Sequence, residues 1–449
     1  MTNGPTSNPN LVRRQEIVAA LRNGAVPRRG IELYGVGLDR FAPAIHEELD
    51  RAATGTGVFK AVRGDYGAGK TFFARWVQGE AMKAGFACAD VQISEVETPL
   101  YRLETIYRRA MESLRTKEWS DGSFRLLLDR WFYALEEEVS ARPGSEDQSP
   151  EALAQAVGEL LERRLAEVSA TQPPFATALR SMYRARMAQD HAAEEGLVAW
   201  LMAKSNVSAD VKRRAGIQGQ IDNDVASGFF RGLLCVLRQT ERRGLCLVLD
   251  EVETVQRMRS DMREKSLNAL RQLIDEVSAG RYPGLYLLIT GTPAFFEGRQ
   301  GVKSLPPLEQ RLHVDFGPDA QFDSSRAIQI RLPGFTIERL LSVGKRVRDL
   351  YPTQVPERIQ HRVSDAFIEA LAGKVAGQLG AQVGIAPRIF LKKLVGEVLD
   401  KVEEHEAFDP QVHYQLSLTA SELSSEERGA AGLALSPDEV ALTLPEDPA

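Results

Sequence analysis

The eight residues Gly64-Asp65-Tyr66-Gly67-Ala68-Gly69-Lys70-Thr71 constrain this chain more than any other stretch. They match G-x-x-x-x-G-K-[ST], a spacing in which glycines let the backbone turn tightly enough for its N–H groups to converge on a phosphate. The context agrees. Gly57 to Val62 (GVFKAV) is short, apolar and rich in β-branched or aromatic residues, as a buried parallel strand requires. From Thr71 onward, Phe72, Phe73, Trp76 and Val77 recur at helical spacing, so the loop opens a helix whose N-terminal dipole favours an anion. Gly64, Asp65, Tyr66, Gly67, Ala68 and Gly69 are then expected to cradle a triphosphate, Lys70 to bridge its β- and γ-phosphates, and the Thr71 hydroxyl to ligate Mg²⁺.

A second signal lies at Leu245-Cys246-Leu247-Val248-Leu249-Asp250-Glu251. An apolar strand ending in two acids presents carboxylates at the carboxyl edge of a parallel sheet, where such folds bind ligands. Asp250 is expected to orient Mg²⁺ through its water shell, and Glu251 to polarise an attacking water, the step that separates a hydrolase from a nucleotide binder. Glu253 reads as an exposed residue in the first turn of a helix. Thr290 follows the apolar run LYLLI and offers a hydroxyl to the γ-phosphate or the water, with Thr292 competing for that role. Arg311 is a candidate finger for a neighbouring subunit's γ-phosphate. Arg388, in Gly384-Ile385-Ala386-Pro387-Arg388, starts a helix and is placed to touch nucleotide in its own chain.

The rest of the chain divides around these motifs. Residues 1–56 read as N-terminal helices and an adenine-side linker, 57–99 as the first part of the core, and 100–227 as a long helical insertion. Residues 228–332 supply the second part of the core, 333–406 an all-helical lid, and 407–449 an acidic, weakly ordered tail. Strands at Phe86 to Ile93, Leu245 to Leu249, Leu285 to Ile289 and Ala327 to Leu332 alternate with helices, the pattern of right-handed crossovers in a parallel sheet. No run of about 18 apolar residues suggests a membrane span, and Met1 to Asn10 lack the apolar core of a secretion signal. Cys88, Cys235 and Cys246 read as buried small hydrophobes of a cytoplasmic protein. A net charge of −6 does not announce nucleic acid. The basic clusters Arg13–Arg14, Arg28–Arg29 and Lys212–Arg213–Arg214 leave contact with DNA open, although solvated faces explain them equally well.

The succession of phosphate loop, acidic pair, polar strand tip, arginine, helical lid and second arginine resembles the AAA+ ATPases, particularly their Orc/Cdc6-like and signal-transduction branch. The resemblance covers residues 25–405 apart from the insertion. It implies an α/β fold with a five-stranded parallel sheet and a small lid whose sensor arginine is Arg388. It also implies that Val26 to Gly37 pass the adenine ring, with Val26 and Leu33 or Tyr34 nearby. The wording of AVPRRGIELYGVGLDRF, FKAVRGDYGAGKTFFARWVQ, LVLDEVETVQRMR, LNALRQLIDEV and ITGTPAFFEG is similar to the ATP-binding proteins of type 2 BREX phage-defence systems of bacteria. That likeness implies a role in excluding bacteriophage, alongside a DNA methyltransferase, a phosphatase-like component and a helicase. Orc/Cdc6-like proteins carry a winged helix after the lid. The residues that follow it here are too few for an ordinary domain, so duplex binding by that route is not expected.

The expectation is therefore an ATPase using ATP and Mg²⁺, in which nucleotide closes the lid and hydrolysis reopens it. The insertion would face a partner, which by resemblance is another BREX component, and a finger in trans would require a homo-oligomer or hetero-complex. The rival readings are a non-hydrolysing, ATP-gated scaffold or DNA-associated regulatory subunit, and a kinase of small molecules.

Overall fold

The computed structural model describes residues 9–119, 122–143, 149–217, 219–378 and 387–418. The residues Gly384 to Ala386 before Arg388, the first eight residues and the acidic tail from 419 onward lie outside them.

Five strands form one sheet: β1 (Val58–Arg63), β2 (Ala87–Gln92), β3 (Leu245–Asp250), β4 (Leu285–Gly291) and β5 (Gln329–Arg331). Their order is β2-β3-β4-β1-β5, and every pairing is parallel. Near-continuous apolar runs such as LCLVLD and LYLLITG suit strands covered on both faces. The register aligns the strand ends, pairing Asp250 with Gln92, Thr290 with Val62 and Gly291 with Arg63. Polar residues at the tips of four strands thus share one edge.

One face of the sheet is covered by the phosphate-loop helix Lys70–Lys83 and by Ala42–Ala53, in a core that includes Phe73, Val77, Ile45 and Leu49. A buried cation interrupts this face. Lys60 of β1 meets Glu48 at 2.5 Å and donates to the carbonyls of Ser325 and Ala327, while the Tyr286 hydroxyl donates to Glu48 at 2.9 Å. Burial pushes the Lys60 ammonium below its usual range, and Glu48 opposes the shift.

Helices Leu103–Ser113 and Asn223–Gln239 line the opposite face. The helices between them, including Phe124–Ser140, Pro150–Thr171 and Pro173–Met187, extend the same hydrophobic core through Trp131, Leu165 and Phe175. The insertion is helical among the described residues except for an isolated bridge between Cys88 and Arg115. It is welded to the sheet through shared apolar side chains. Cys88, Cys235 and Cys246 are buried thiols. No helix among the described residues is long and apolar enough to cross a membrane.

The C-terminal helices Ile337–Leu350, Pro356–Arg362, Asp365–Gln378 and Pro387–Lys393 build a further core. It runs past Glu406, because Phe408, Tyr414, Leu416 and Leu418 pack against it. The N-terminal helix Pro9–Arg22 also joins this unit, through Ile17, Val18 and Leu21. Arg14 donates to the carbonyls of Leu350 at 2.6 Å, Tyr351 at 3.1 Å and Asp349 at 3.2 Å, satisfying the orphan acceptors at a helix C-terminus. Arg22 forks onto Asp400 at 2.6 and 2.8 Å.

Replacing the fully buried Ile17 by alanine should cost about 2–4 kcal/mol in denaturant unfolding of the C-terminal unit. Hydrogen exchange should show lost protection in Ile337–Leu350 as well. Fraying confined to Pro9–Arg22 would show that the helix does not share that unit's core.

Candidate active site

β1 ends at Arg63, and the loop after it is built for close backbone approach. Gly67 and Gly69 sit at φ +77° and +88°, a left-handed region that penalises side chains. A Cβ on Gly64 would stand 3.1 Å from that of Ala68 and 3.3 Å from that of Leu332. Lys70 begins the helix and is almost buried. Its ammonium folds back over the loop, donating to the Gly64 carbonyl at 3.0 Å and the Asp65 carbonyl at 3.4 Å, and lies 5.0 Å from the centre of the Tyr66 ring.

Across the sheet edge, the acidic strand reaches this loop directly. The Thr71 hydroxyl donates to Asp250 Oδ2 at 2.8 Å. The Thr290 hydroxyl, fully buried, donates to Asp250 Oδ1 and accepts the Glu251 N–H at 3.2 Å. Both Asp250 oxygens are therefore held from opposite sides. Thr292, the competitor, is buried at the start of Pro293–Glu297 and makes no side-chain cap there.

Glu251 adopts φ +59°, uncommon for any residue other than glycine, and breaks the strand into the short 3₁₀ helix Val252–Arg257. Its carboxylate accepts from Gln92 Nε2, at the tip of β2, at 2.8 Å. The turn also corrects the expectation for Glu253. That residue is only 6% exposed, and its Oε1 lies 3.7 Å from Lys70 Nζ. This is an electrostatic contact, too long for a hydrogen bond, and both carboxylate oxygens are buried without a hydrogen-bond partner. The tight 3₁₀ geometry turns Glu253 inward where a regular helix would leave it solvated. Burial pushes its carboxyl above the usual range, Lys70 works against this, and Glu251 and Asp250 add to it.

The remaining candidates lie further out. Arg311, on Pro306–Leu312, forks onto Asp275 with Nε and Nη2 and donates to the Pro307 carbonyl. The Arg388 side chain lies against the turn at Gly24, 3.5 Å from where a Cβ would stand on that glycine. A narrow slot beside the loop is lined by Val36, Leu38, Gly69, Phe72, Phe335 and Arg339. Val26, Leu33 and Tyr34 do not line it, although Tyr34 packs edge-on against Phe72 at 5.5 Å. Sequence reasoning missed Gln92, Phe335 and Arg339. For Gln92 a signal existed, a polar residue closing an apolar strand beside the acidic one.

The chain matches the family described as BREX system ATP-binding protein BrxC/D over residues 11–418. It belongs to that family. The match spans both the core and the C-terminal helical unit, and it ends with the last described residue of that unit. No curated protein matches the chain. For a BREX ATP-binding protein, the glycine-bounded loop and Lys70 are the groups whose geometry suits a phosphate chain.

Glu253 gives a pH signature. Because the fold favours its neutral form, the stability it contributes is full below the ordinary glutamate value of 4.5 and is lost as pH rises through the raised value. Glu253→Gln should therefore melt above the parent protein at neutral pH by the equivalent of about 1 kcal/mol, and the gap should close on acidification. A constant gap across that range would mean that Glu253 stays ionised beside Lys70.

Proposed function

We propose that this BREX ATP-binding protein is an AAA+-type hydrolase that couples Mg²⁺-dependent ATP turnover to movement of its C-terminal helical unit within a phage-defence complex. The observation that carries this reading is the 2.8 Å bond from the phosphate-loop Thr71 to Asp250 of β3, which joins the two motifs at one point. A hydroxyl and a carboxylate in contact suit Mg²⁺, which takes one or two protein oxygens and completes its shell with waters and phosphate oxygens. Bound Mg·ATP would supply the transferable γ-phosphoryl group and the charge that neutralises its oxygens.

The chain's own residues then have distinct tasks. Lys70 exchanges its loop carbonyls for phosphate oxygens, and Thr290 fixes the acidic pair. Glu251 orients and deprotonates the attacking water once it leaves Gln92. The slot between Phe72 and Phe335 is our candidate for the adenine side, with Arg388 approaching from the C-terminal unit. Arg311 acts as a finger in trans only if it releases Asp275. The three acids Asp250, Glu251 and Glu253 close to the loop favour hydrolysis over transfer to a small molecule, because a competing acceptor would have to displace the water that Glu251 holds.

Lys70→Ala should abolish binding of a fluorescent ATP analogue. Glu251→Gln should bind ATP and lose about 10²–10⁴-fold of its phosphate release; full turnover by this variant would remove Glu251 from the mechanism. Where basal turnover is restrained by the Gln92 contact, Gln92→Ala should raise it several-fold without changing ATP affinity. Lower turnover in Gln92→Ala would instead make Gln92 part of the productive arrangement.

A further inference from the structure

The three basic clusters of the sequence meet different fates in the fold. Arg14 turns inward onto backbone carbonyls of the C-terminal unit. Arg213 and Arg214 are taken up by Asp210, at 2.6 and 2.8 Å. Arg13, Arg28 and Arg29, by contrast, meet Lys83 and Lys117 around a cavity of 250 Å³, with Arg75 in its wall. These six cations come from the N-terminal helix, the linker after it, the phosphate-loop helix and the loop after Leu103–Ser113.

Only Glu32 and Glu80 face them from the lining. Glu32 lies 3.5 Å from Arg13, and Glu80 is shared between Lys83 at 2.8 Å and His46 at 2.7 Å. Arg75 donates to a neutral acceptor, the Val26 carbonyl. Burial lowers its pKa; Asp90 opposes this, while Arg115 and Arg28 add to it. An adjoining cavity that also includes Arg28 has the opposite character, with Asp90, Glu95, Glu97, Glu112 and Glu251 in its lining. In a chain of net charge −6, positive charge has been gathered into one concavity at an electrostatic cost that an anionic ligand would repay.

The cavity runs along the phosphate-loop helix from Arg75 to Lys83, about 6 to 18 Å along its axis beyond Thr71, and none of its lining residues belongs to the loop at 64–71. Trp76 lines it yet is 6% exposed, which leaves no aromatic face on which a base could stack. What the cavity offers is charge on flexible stems, suited to backbone phosphates and indifferent to sequence. We propose that this cavity is a docking site for the phosphodiester backbone of a nucleic-acid duplex. The site is independent of ATP hydrolysis.

The test is fluorescence anisotropy of a short labelled duplex with the full-length protein at several salt concentrations. The parent protein should bind with a dissociation constant on the order of 10⁻⁴–10⁻⁶ M that weakens steeply with salt. In Lys83→Glu/Lys117→Glu, affinity should fall at least about tenfold and the slope of log K against log salt should drop by about two. Lys117→Glu alone should give about half of each effect. Binding of a fluorescent ATP analogue, measured in parallel, reports whether the variants are folded. Absence of salt-dependent duplex binding, or equal affinity and slope in the folded variants, overturns the proposal. So does displacement of duplex from Lys70→Ala protein by equimolar inorganic triphosphate, which would make the ligand a free phosphate. Equal competition by polyglutamate would make it an acidic protein and overturn the assignment as well.

Discussion

The bond between the Thr71 hydroxyl and Asp250 ties together parts of the chain that lie 179 residues apart. It is possible because β4 stands between β1 and β3, setting the loop strand and the acidic strand about 10 Å apart at the sheet edge. β4 fills the middle with a small hydroxyl, Thr290, which braces Asp250 from the other side. A one-residue slip in either neighbour would turn these groups to the wrong face. The shared register is therefore the condition on which the arrangement at the edge depends.

Charge is unevenly matched at this edge. Asp250, Glu251 and Glu253 face one loop cation, Lys70, and Glu253 is buried without a hydrogen bond. On the function we propose, such a surplus would repel a bare triphosphate and would suit one that arrives with a divalent cation. The Lys70 ammonium meanwhile rests on neutral carbonyls, so it can change partners without breaking a strong ion pair. Gln92 holds Glu251 in a comparable way, by a single amide hydrogen bond. Contacts of this strength are worth about 1–3 kcal/mol, small enough to be exchanged when nucleotide or a partner binds.

Much of this was legible in the sequence because it rests on local rules. Strands β1 to β4 announce themselves as largely apolar stretches ending in polar tips, the short β5 (Gln329–Arg331) less plainly, and strands alternating with helices imply parallel crossovers. Thr71 and Asp250 could be paired in advance because one opens the helix after the glycine-rich loop and the other closes an apolar strand. Glu253 could not be read. Its burial follows from the left-handed Glu251 and the 3₁₀ helix after it, a departure from regular helix that no residue type signals by itself. The placement of Pro9–Arg22 was hidden for a different reason. Its apolar face fits any core, and only the tertiary fold assigns it to helices more than three hundred residues away. The convergence of Arg13 and Arg28 with Lys83 and Lys117 is likewise a product of folding, invisible in a net charge of −6.

That distance has a consequence for biosynthesis. The helix Pro9–Arg22 is translated more than three hundred residues before the helices that cover Ile17, Val18 and Leu21. At about 5–20 residues per second, its apolar stripe waits tens of seconds for a partner, while the sheet and insertion can already condense around their own core. Closing so long a loop is slow, which makes this stripe the place where a nascent chain would most need a chaperone.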